Sequence, residues 1–232
     1  MKKVVIALGC SWTVGHEIEE EFPNQDVETV RSQYRYAELL RSYLKYDEHI
    51  VCGLPGGSNE RAIRLAYPEV LKYIFQGYKV FVVFGITSVW RTELYDVATK
   101  DYIGFIYGND KYYTIRENQI PPATKDLIKN YKIHTFDEEF HATRQAIDIL
   151  GFHSFLKLQN VEHVFFDIFE PKNSSPLIEA IPKANYIWQD EIPLQVYLTE
   201  QYRASGSHPN VAGHKLIARR LYQHLINGSY NL

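Results

Sequence analysis

The sequence predicts an α/β fold, a three-layer α/β/α sandwich around a parallel sheet of about five strands. Two observations predict it. Short runs of β-branched and aromatic residues alternate along the chain with longer segments of helical periodicity. The first run, Val4 to Leu8, leads directly into a glycine-flanked polar turn, as a strand does when its carboxyl end meets a ligand-binding edge. The length of 232 residues fits one α/β domain with room for an insertion.

Each element follows from its own pattern. Val4 to Leu8 is an unbroken apolar run that suits a central parallel strand and is too short for the apolar part of a signal peptide. The segment 36–46 puts Ala37, Leu40 and Leu44 on one stripe and predicts a helix. His49 to Gly53 predicts a second strand. Ser58 is placed to cap a helix from Asn59 that carries Arg61, Ile63 and Leu65, and Pro68 predicts a kink or restart in it. Lys79 to Phe84, closed by Gly85, predicts a third strand. Residues 138–158 predict a long helix, Val161 to Ile168 a fourth strand, and Asn210 to Leu225 a closing helix with Val211, Ala218, Leu221 and Leu225 at helical spacing. The stretch 94–137 is rich in Tyr, Lys, Asp and Asn, contains Pro121-Pro122 and lacks clear periodicity. It is expected to be an insertion lying over the functional edge as a lid, within a single domain spanning 1–232. A second irregular stretch runs from Pro171 to about Tyr197.

Composition limits the function classes. Hydrophobic residues are 45% and charged residues 23%, an ordinary globular balance, and a net charge of −3 argues against a nucleic-acid module, which needs a concentrated basic face. No stretch is long enough to span a bilayer. Cys10 and Cys52 each end a predicted buried strand and read as free thiols in a reducing compartment, so a cytoplasmic location is expected. The 18 Tyr and 12 Phe suit either a half-wet groove or a mixed core and surface.

Chemistry concentrates at two places. In Gly9-Cys10-Ser11-Trp12-Thr13-Val14-Gly15, Ser11 stands on a tight turn at the carboxyl end of the first strand, with outward N–H groups able to hold an oxyanion. A serine needs a base, and Ser207-His208-Pro209-Asn210 offers His208 on a loop at a helix entrance. Either alone reads equally as a structural turn or a surface histidine; the pair points to a nucleophile and its base.

Together these segments resemble the SGNH (GDSL-like) hydrolase superfamily, whose sheet is flavodoxin-like. Gly9-Cys10-Ser11 with Gly15 resembles the first block and implies that Ser11 is the nucleophile. Gly53-Leu54-Pro55-Gly56-Gly57-Ser58-Asn59 resembles the second block and implies an oxyanion-hole N–H at Gly56, beside that of Ser11. Phe84-Gly85-Ile86-Thr87-Ser88 lies where the third block places an asparagine, here Thr87. His208-Pro209 resembles the last block, whose aspartate is here Ser205. The arginines Arg61 and Arg64 after Gly-Gly-Ser-Asn, with Arg91 and Glu93, are similar to a phage-encoded group of members. The resemblance implies hydrolysis of an ester, such as an O-acetyl group on a carbohydrate or other polar carrier, with no metal or organic cofactor. An acyltransferase and a non-catalytic binding protein on the same scaffold are the rival implications.

The departures at Cys10, Thr87 and Ser205 reduce the expected triad to a Ser11–His208 dyad, with Glu200 or a carboxylate from the insertion as a substitute orienting acid. Cys10 as nucleophile is set against its reading as a core thiol. Trp12, Asn59, Arg61 and Arg91 are the substrate-contact candidates. Asn59 is equally a support for the Gly56 loop, and Arg61, Arg64 and Arg91 either bind an anionic group or pair with Glu60, Glu69 or Glu93. His16, His134, His141 and His153 lack metal-ligand spacing and read as solvated. The acidic run Glu17, Glu19, Glu20, Glu21 reads as a solvated face or loop.

Overall fold

The computed structural model describes residues 1–97, 100–107, 112–113, 120–169, 175–187 and 193–227. Its elements run β1 (Lys3–Gly9), α1 (Ser11–Val14), α2 (Val27–Tyr34), α3 (Tyr36–Leu44), β2 (Glu48–Gly53), α4 (Asn59–Phe75), β3 (Lys79–Ile86), β4 (Arg91–Asp96), β5 (Asp101–Ile106), β6 (Tyr112–Tyr113), α5 (Pro122–Thr135), α6 (Glu138–Leu158), β7 (Glu162–Asp167), β8 (Tyr186–Ile187), α7 (Leu194–Tyr197) and α8 (Val211–Asn227).

An unbroken apolar strand needs cover on both faces, and β1 receives it. Val4, Ile6 and Leu8 enter one core with Ala62, Ala66 and Val70 of α4 and Phe152 of α6. Val5 and Ala7 enter the opposite core with Ala37 and Leu40 of α3 and Ile217 and Leu221 of α8. The result is the three-layer sandwich that the alternation of strands and helices predicts. The main sheet has the order β2-β1-β3-β7-β8, and every pairing in it is parallel.

The register aligns the carboxyl ends. Gly9 pairs with Gly53, Leu8 with Phe84, and Ile86 with Asp167. The segments leaving β1, β2, β3 and β7 therefore emerge along one edge. Strand order reverses between β1 and β3, which opens a crevice at their carboxyl ends.

Several expectations need correction. The helix from Asn59 is capped by Ser58 Oγ, which accepts from Arg61 N, but it runs unbroken through Pro68. Proline removes one backbone bond, and the burial of Ala66 and Val70 on either side holds the helix straight through it. The stretch 94–137, expected to lack regular structure, holds most of an antiparallel sheet, β4-β5-β6, that starts at Arg91, followed by α5. Its core is Ile103, Phe105, Tyr107, Ile120 and Ile128. The alternation Ile103, Phe105, Tyr107 was the strand signal, masked by the intervening Gly104 and the density of tyrosine. Residues 98–99, 108–111 and 114–119 of the expected insertion lie outside the described residues. The fifth strand, β8, lies inside the stretch read as irregular, of which 171–174 and 188–192 lie outside the described residues. Two residues are too few for any periodicity to show. Among the described residues, no helix is long and apolar enough to cross a membrane.

Three titratable groups sit deep in these layers. His214 of α8 is fully buried and its Nδ1 accepts from Tyr36 N, an unpaired donor at the start of α3. Burial holds its imidazole down to about 3. His163 of β7 faces His153 at 2.8 Å, and burial holds it down to about 4. Burial pushes the Asp167 carboxyl up to about 7, against a hydrogen bond from Tyr186 Oη at 2.8 Å. The two histidines stay neutral in the fold where the unfolded chain binds protons, so their contribution is lost as pH falls from the ordinary imidazole value of 6.5. Asp167 acts in the opposite sense: between 3.8 and about 7 the fold retains a proton that the unfolded chain has released. Asp167→Asn keeps an acceptor for Tyr186 and removes that opposing proton. The unfolding free energy of Asp167→Asn is therefore expected to rise with pH more steeply than wild type, by about 1.4 kcal/mol per unit within pH 4–7. Urea titrations at several pH values measure the two slopes, and equal slopes contradict the assignment.

Candidate active site

β1 ends because its next residues cannot continue it. Gly9 has φ 148°, and a Cβ there would lie 2.2 Å from Thr13 Oγ1 and 2.8 Å from the Gly85 carbonyl oxygen. The chain turns at once into the single helical turn α1. Thr13 pins that turn, donating through Oγ1 to the Leu8 carbonyl at 3.3 Å and accepting from Tyr36 Oη at 3.0 Å. Cys10 faces inward and is fully buried in the core, as its reading as a core thiol requires. Ser11 stands at the edge.

Ser11 Oγ lies 2.9 Å from His208 Nε2, joining residues from opposite ends of the chain. The other ring nitrogen, Nδ1, lies 2.7 Å from Glu17 Oε1. That approach is close but off the axis of a well-aligned hydrogen bond, so it is a charge contact first. Glu17 Oε2 accepts from Gly206 N at 3.0 Å and faces His208 N at 3.4 Å. The backbone bends to make this arrangement: Glu17 has φ 74° and Ser207 φ 73°, left-handed conformations that are costly for residues with a Cβ.

In the acidic run Glu20 and Glu21 are exposed, as a solvated face or loop requires, but they also carry contacts. Glu20 accepts from Ser205 Oγ at 2.9 and 3.0 Å, and Glu21 accepts at 2.8 Å from Val211 N, the first residue of α8. The run holds the 205–211 segment through its side chains. Ser205 is exposed and bonded to Glu20, and the carboxylate facing His208 is Glu17 rather than Glu200 or one from the insertion. A signal for this existed in the sequence. Ala204-Ser205-Gly206-Ser207 supplies backbone N–H groups with no regular partner, and an acidic run supplies acceptors.

Asn59 is likewise corrected from substrate contact to support. It is 1% exposed, and its Nδ2 donates to the Thr87 carbonyl at 2.9 Å and to Gln145 Oε1 at 2.8 Å, while its Oδ1 accepts from Thr87 N at 2.8 Å. It ties the segment after β2 to the segment after β3 and to α6. Thr87 Oγ1, by contrast, is buried with no partner. Neither the Ser11 N–H nor the Gly56 N–H donates a hydrogen bond among the described residues. Trp12 is buried in the core, edge-on to Phe169 with ring centroids 5.6 Å apart. Arg64 pairs with Glu93 through two bonds of 2.8 and 2.9 Å, and Arg61 approaches the same carboxylate at 3.8 Å.

Next to Thr87 and Phe169 a half-open cavity encloses ≈ 440 Å³, part of it open to solvent, with Gln145, Asp167, Ser175 and Tyr186 among its lining. Among the described residues, His16, Glu17 and His208 could hold a metal ion, their ligand atoms lying within 4.8 Å of one another. His16 thus has ligand neighbours that its spacing in the sequence does not suggest. Burial, and next the adjacent His208, hold the His16 imidazole below its ordinary value. His141 and His153 are buried, not solvated, while His134 is exposed.

Solved structures place this architecture. The chain matches the psychrotrophic esterase EstA from Pseudoalteromonas sp., in a structure inhibited by monoethylphosphonate, with a TM-score of 0.51 and 11% identity over 97% of this chain and 98% of that one. The two share this fold, a parallel five-stranded sheet flanked by helices. A structure titled TesA matches at a TM-score of 0.47 and 9% identity over 97% of this chain and 99% of that one, too loosely to add to the argument. No protein-family model matches the sequence, and no curated protein matches it. On this scaffold, Ser11 follows β1, Gly56 follows β2, Thr87 follows β3, and His208 precedes α8.

Because Asn59 satisfies three buried groups at once, Asn59→Leu leaves them without partners. The loss expected is on the order of 3 kcal/mol in unfolding free energy, read from the urea midpoint. A loss below about 0.5 kcal/mol, the range of an ordinary surface change, overturns the clamp.

Proposed function

We propose that this chain is a serine hydrolase acting on an ester, possessing a Ser11–His208–Glu17 triad. The observation that carries the reading is the line of contacts Ser11 Oγ, His208 Nε2, His208 Nδ1, Glu17 Oε1, at 2.9 and 2.7 Å. Ser11 Oγ attacks the acyl carbon as His208 Nε2 takes its proton. The imidazolium so formed lies against the Glu17 carboxylate, which fixes the ring and offsets its charge. The developing oxyanion is held by the Ser11 and Gly56 N–H groups and the Thr87 hydroxyl, donors without a partner in the free protein. His208 then returns the proton to the leaving oxygen, and water repeats the sequence to release the acid.

The substrate class follows from the resemblance to SGNH hydrolases: a short acyl ester such as an O-acetyl group on a polar carrier. The segment from Arg91 through α5 serves in this reading as the cover of the site within a single domain. EstA, inhibited in its structure by monoethylphosphonate, suggests the chemistry of the test.

A fluorophosphonate probe is expected to label wild type and to fail on Ser11→Ala and His208→Ala. Absence of labelling in folded wild type across pH 6–9 overturns the reading in favour of a binding protein, and labelling lost only in Cys10→Ala moves the nucleophile. Glu17→Gln keeps the shape and removes the charge, so its kcat on an activated acyl ester is expected to fall by roughly 10²–10⁴-fold.

Gly206 gives an independent check on Glu17. A Cβ at Gly206 would lie 1.9 Å from Glu17 Oε1, the free end of a flexible side chain. Gly206→Ala is therefore expected to displace the carboxylate from His208 without unfolding the protein. Its thermal midpoint should stay within a few degrees of wild type while kcat falls toward that of Glu17→Gln. Full activity in Gly206→Ala removes Glu17 from the mechanism.

A further inference from the structure

We propose that the ester this site recognises carries a carboxylate, bound by Arg91 with Arg61; the proposal rests on the hydrolase reading of Ser11 and names its substrate class. The argument begins with an imbalance. Glu93 of β4 is almost fully buried and takes two guanidinium groups, bidentately from Arg64 and at 3.8 Å from Arg61. Two residues earlier on the same face of that strand is Arg91, whose side chain has neither a hydrogen bond nor an ion pair among the described residues. Its Nη1 is buried with no hydrogen-bond partner among the described residues. Arg61 has the same defect, with a buried Nε that has no partner among them.

A buried donor without a partner costs about 1–3 kcal/mol, and more when the group is charged. Both guanidinium groups are tied to β4, Arg91 as its first residue and Arg61 through Glu93 two residues on, and together they fit a ligand that completes them. Their position fits the same conclusion. The Arg91 guanidinium lies over the Phe169 ring, 4.9 Å from its centroid, and Phe169 meets Trp12, the residue next to the nucleophile. The Arg61 side chain lies against the loop of the proposed oxyanion donor, its Cδ 3.6 Å from where a Cβ on Gly57 would stand. Arg91 is thus placed beside the segment after β7 and Arg61 beside the loop after β2. The planar fork of a guanidinium is complementary to the two oxygens of a planar carboxylate.

Three acyl esters test this: 4-nitrophenyl acetate, which is neutral; 4-nitrophenyl hemisuccinate, with the carboxylate on the acyl side; and 4-acetoxybenzoate, with it on the leaving group. One charged ester is expected to exceed the neutral one in kcat/KM by at least roughly ten-fold after correction for intrinsic reactivity. Arg91→Gln is expected to lose at least ten-fold more kcat/KM toward that ester than toward 4-nitrophenyl acetate, with Arg91→Lys recovering part of the difference. Equal losses on all three esters, or no preference for either charged ester, overturn the proposal while leaving the hydrolase intact. Binding separates the two readings from the other side. Calorimetric titration of Ser11→Ala with succinate and with 4-hydroxybenzoate is expected to show saturable binding of one of them, abolished by adding Arg91→Gln. Such binding in a protein that turns over no ester keeps the carboxylate site and removes the hydrolase. No binding of either anion, with hydrolysis present, removes the carboxylate site.

Discussion

The carboxylate of Glu17 is the constraint on which the site depends. One oxygen faces His208 Nδ1, and the other takes the Gly206 N–H and faces the His208 N–H. A single side chain therefore sets both the ring of His208 and the path of the backbone that carries it. The left-handed conformations at Glu17 and Ser207 lie on the two sides of this contact, so the strain is local to the interaction that it permits. Glu20 and Glu21 extend the same device, holding Ser205 and the first N–H of α8. An acid near the N-terminus of that helix also complements its dipole.

Asn59 performs the corresponding task on the far side of Ser11. At the end of β3, where the SGNH pattern has an asparagine, this chain has Thr87, and Asn59 from the segment after β2 binds both backbone groups of that residue. The amide is used to fix the loop, and a small hydroxyl is left facing the site. The two supports differ in kind. Asn59 is neutral, buried and fully satisfied, so it holds its position at any pH at which the fold survives. Glu17 is only part-buried and divides its two carboxylate oxygens between the His208 ring and the backbone N–H groups of Gly206 and His208.

These differences explain what was legible in the sequence. The alternation of strand and helix patterns around β1, β2, β3 and β7 was readable because burial on both faces of a parallel strand leaves a continuous apolar run. Ser11 and His208 were readable because a turn at a strand end and a loop before a helix are marked locally by Gly9, Gly15 and Pro209. Glu17 was not, because its partner lies at the other end of the chain and nothing in a run of glutamates distinguishes the one that folds inward. The same holds for Asn59, whose partners Thr87 and Gln145 come from the segment after β3 and from α6. Local chemistry marked the candidate residues, while the groups that hold them in place are fixed by contacts distant in sequence. β8 and the β4-β5 hairpin were missed for a different reason: their strands are too short, or too rich in tyrosine and glycine, for a period of two to stand out.

The placement of Glu17 has a consequence for how the site assembles. It shares the segment after β1 with Ser11, so both are brought to the edge by one stretch of backbone, braced by Thr13 against Leu8 and Tyr36. Only His208 must arrive from elsewhere. Its arrival is coupled to the docking of α8, since Glu21 binds Val211 N at the start of that helix and His214 within it binds Tyr36 N at the start of α3. Tyr36 is thus shared: its hydroxyl steadies the turn that bears Ser11, and its backbone receives the helix that follows His208. The turn of Ser11 and the helix after His208 are thus braced by the same residue in the core, so the packing of α8 on α3 and the approach of His208 to Ser11 share one support.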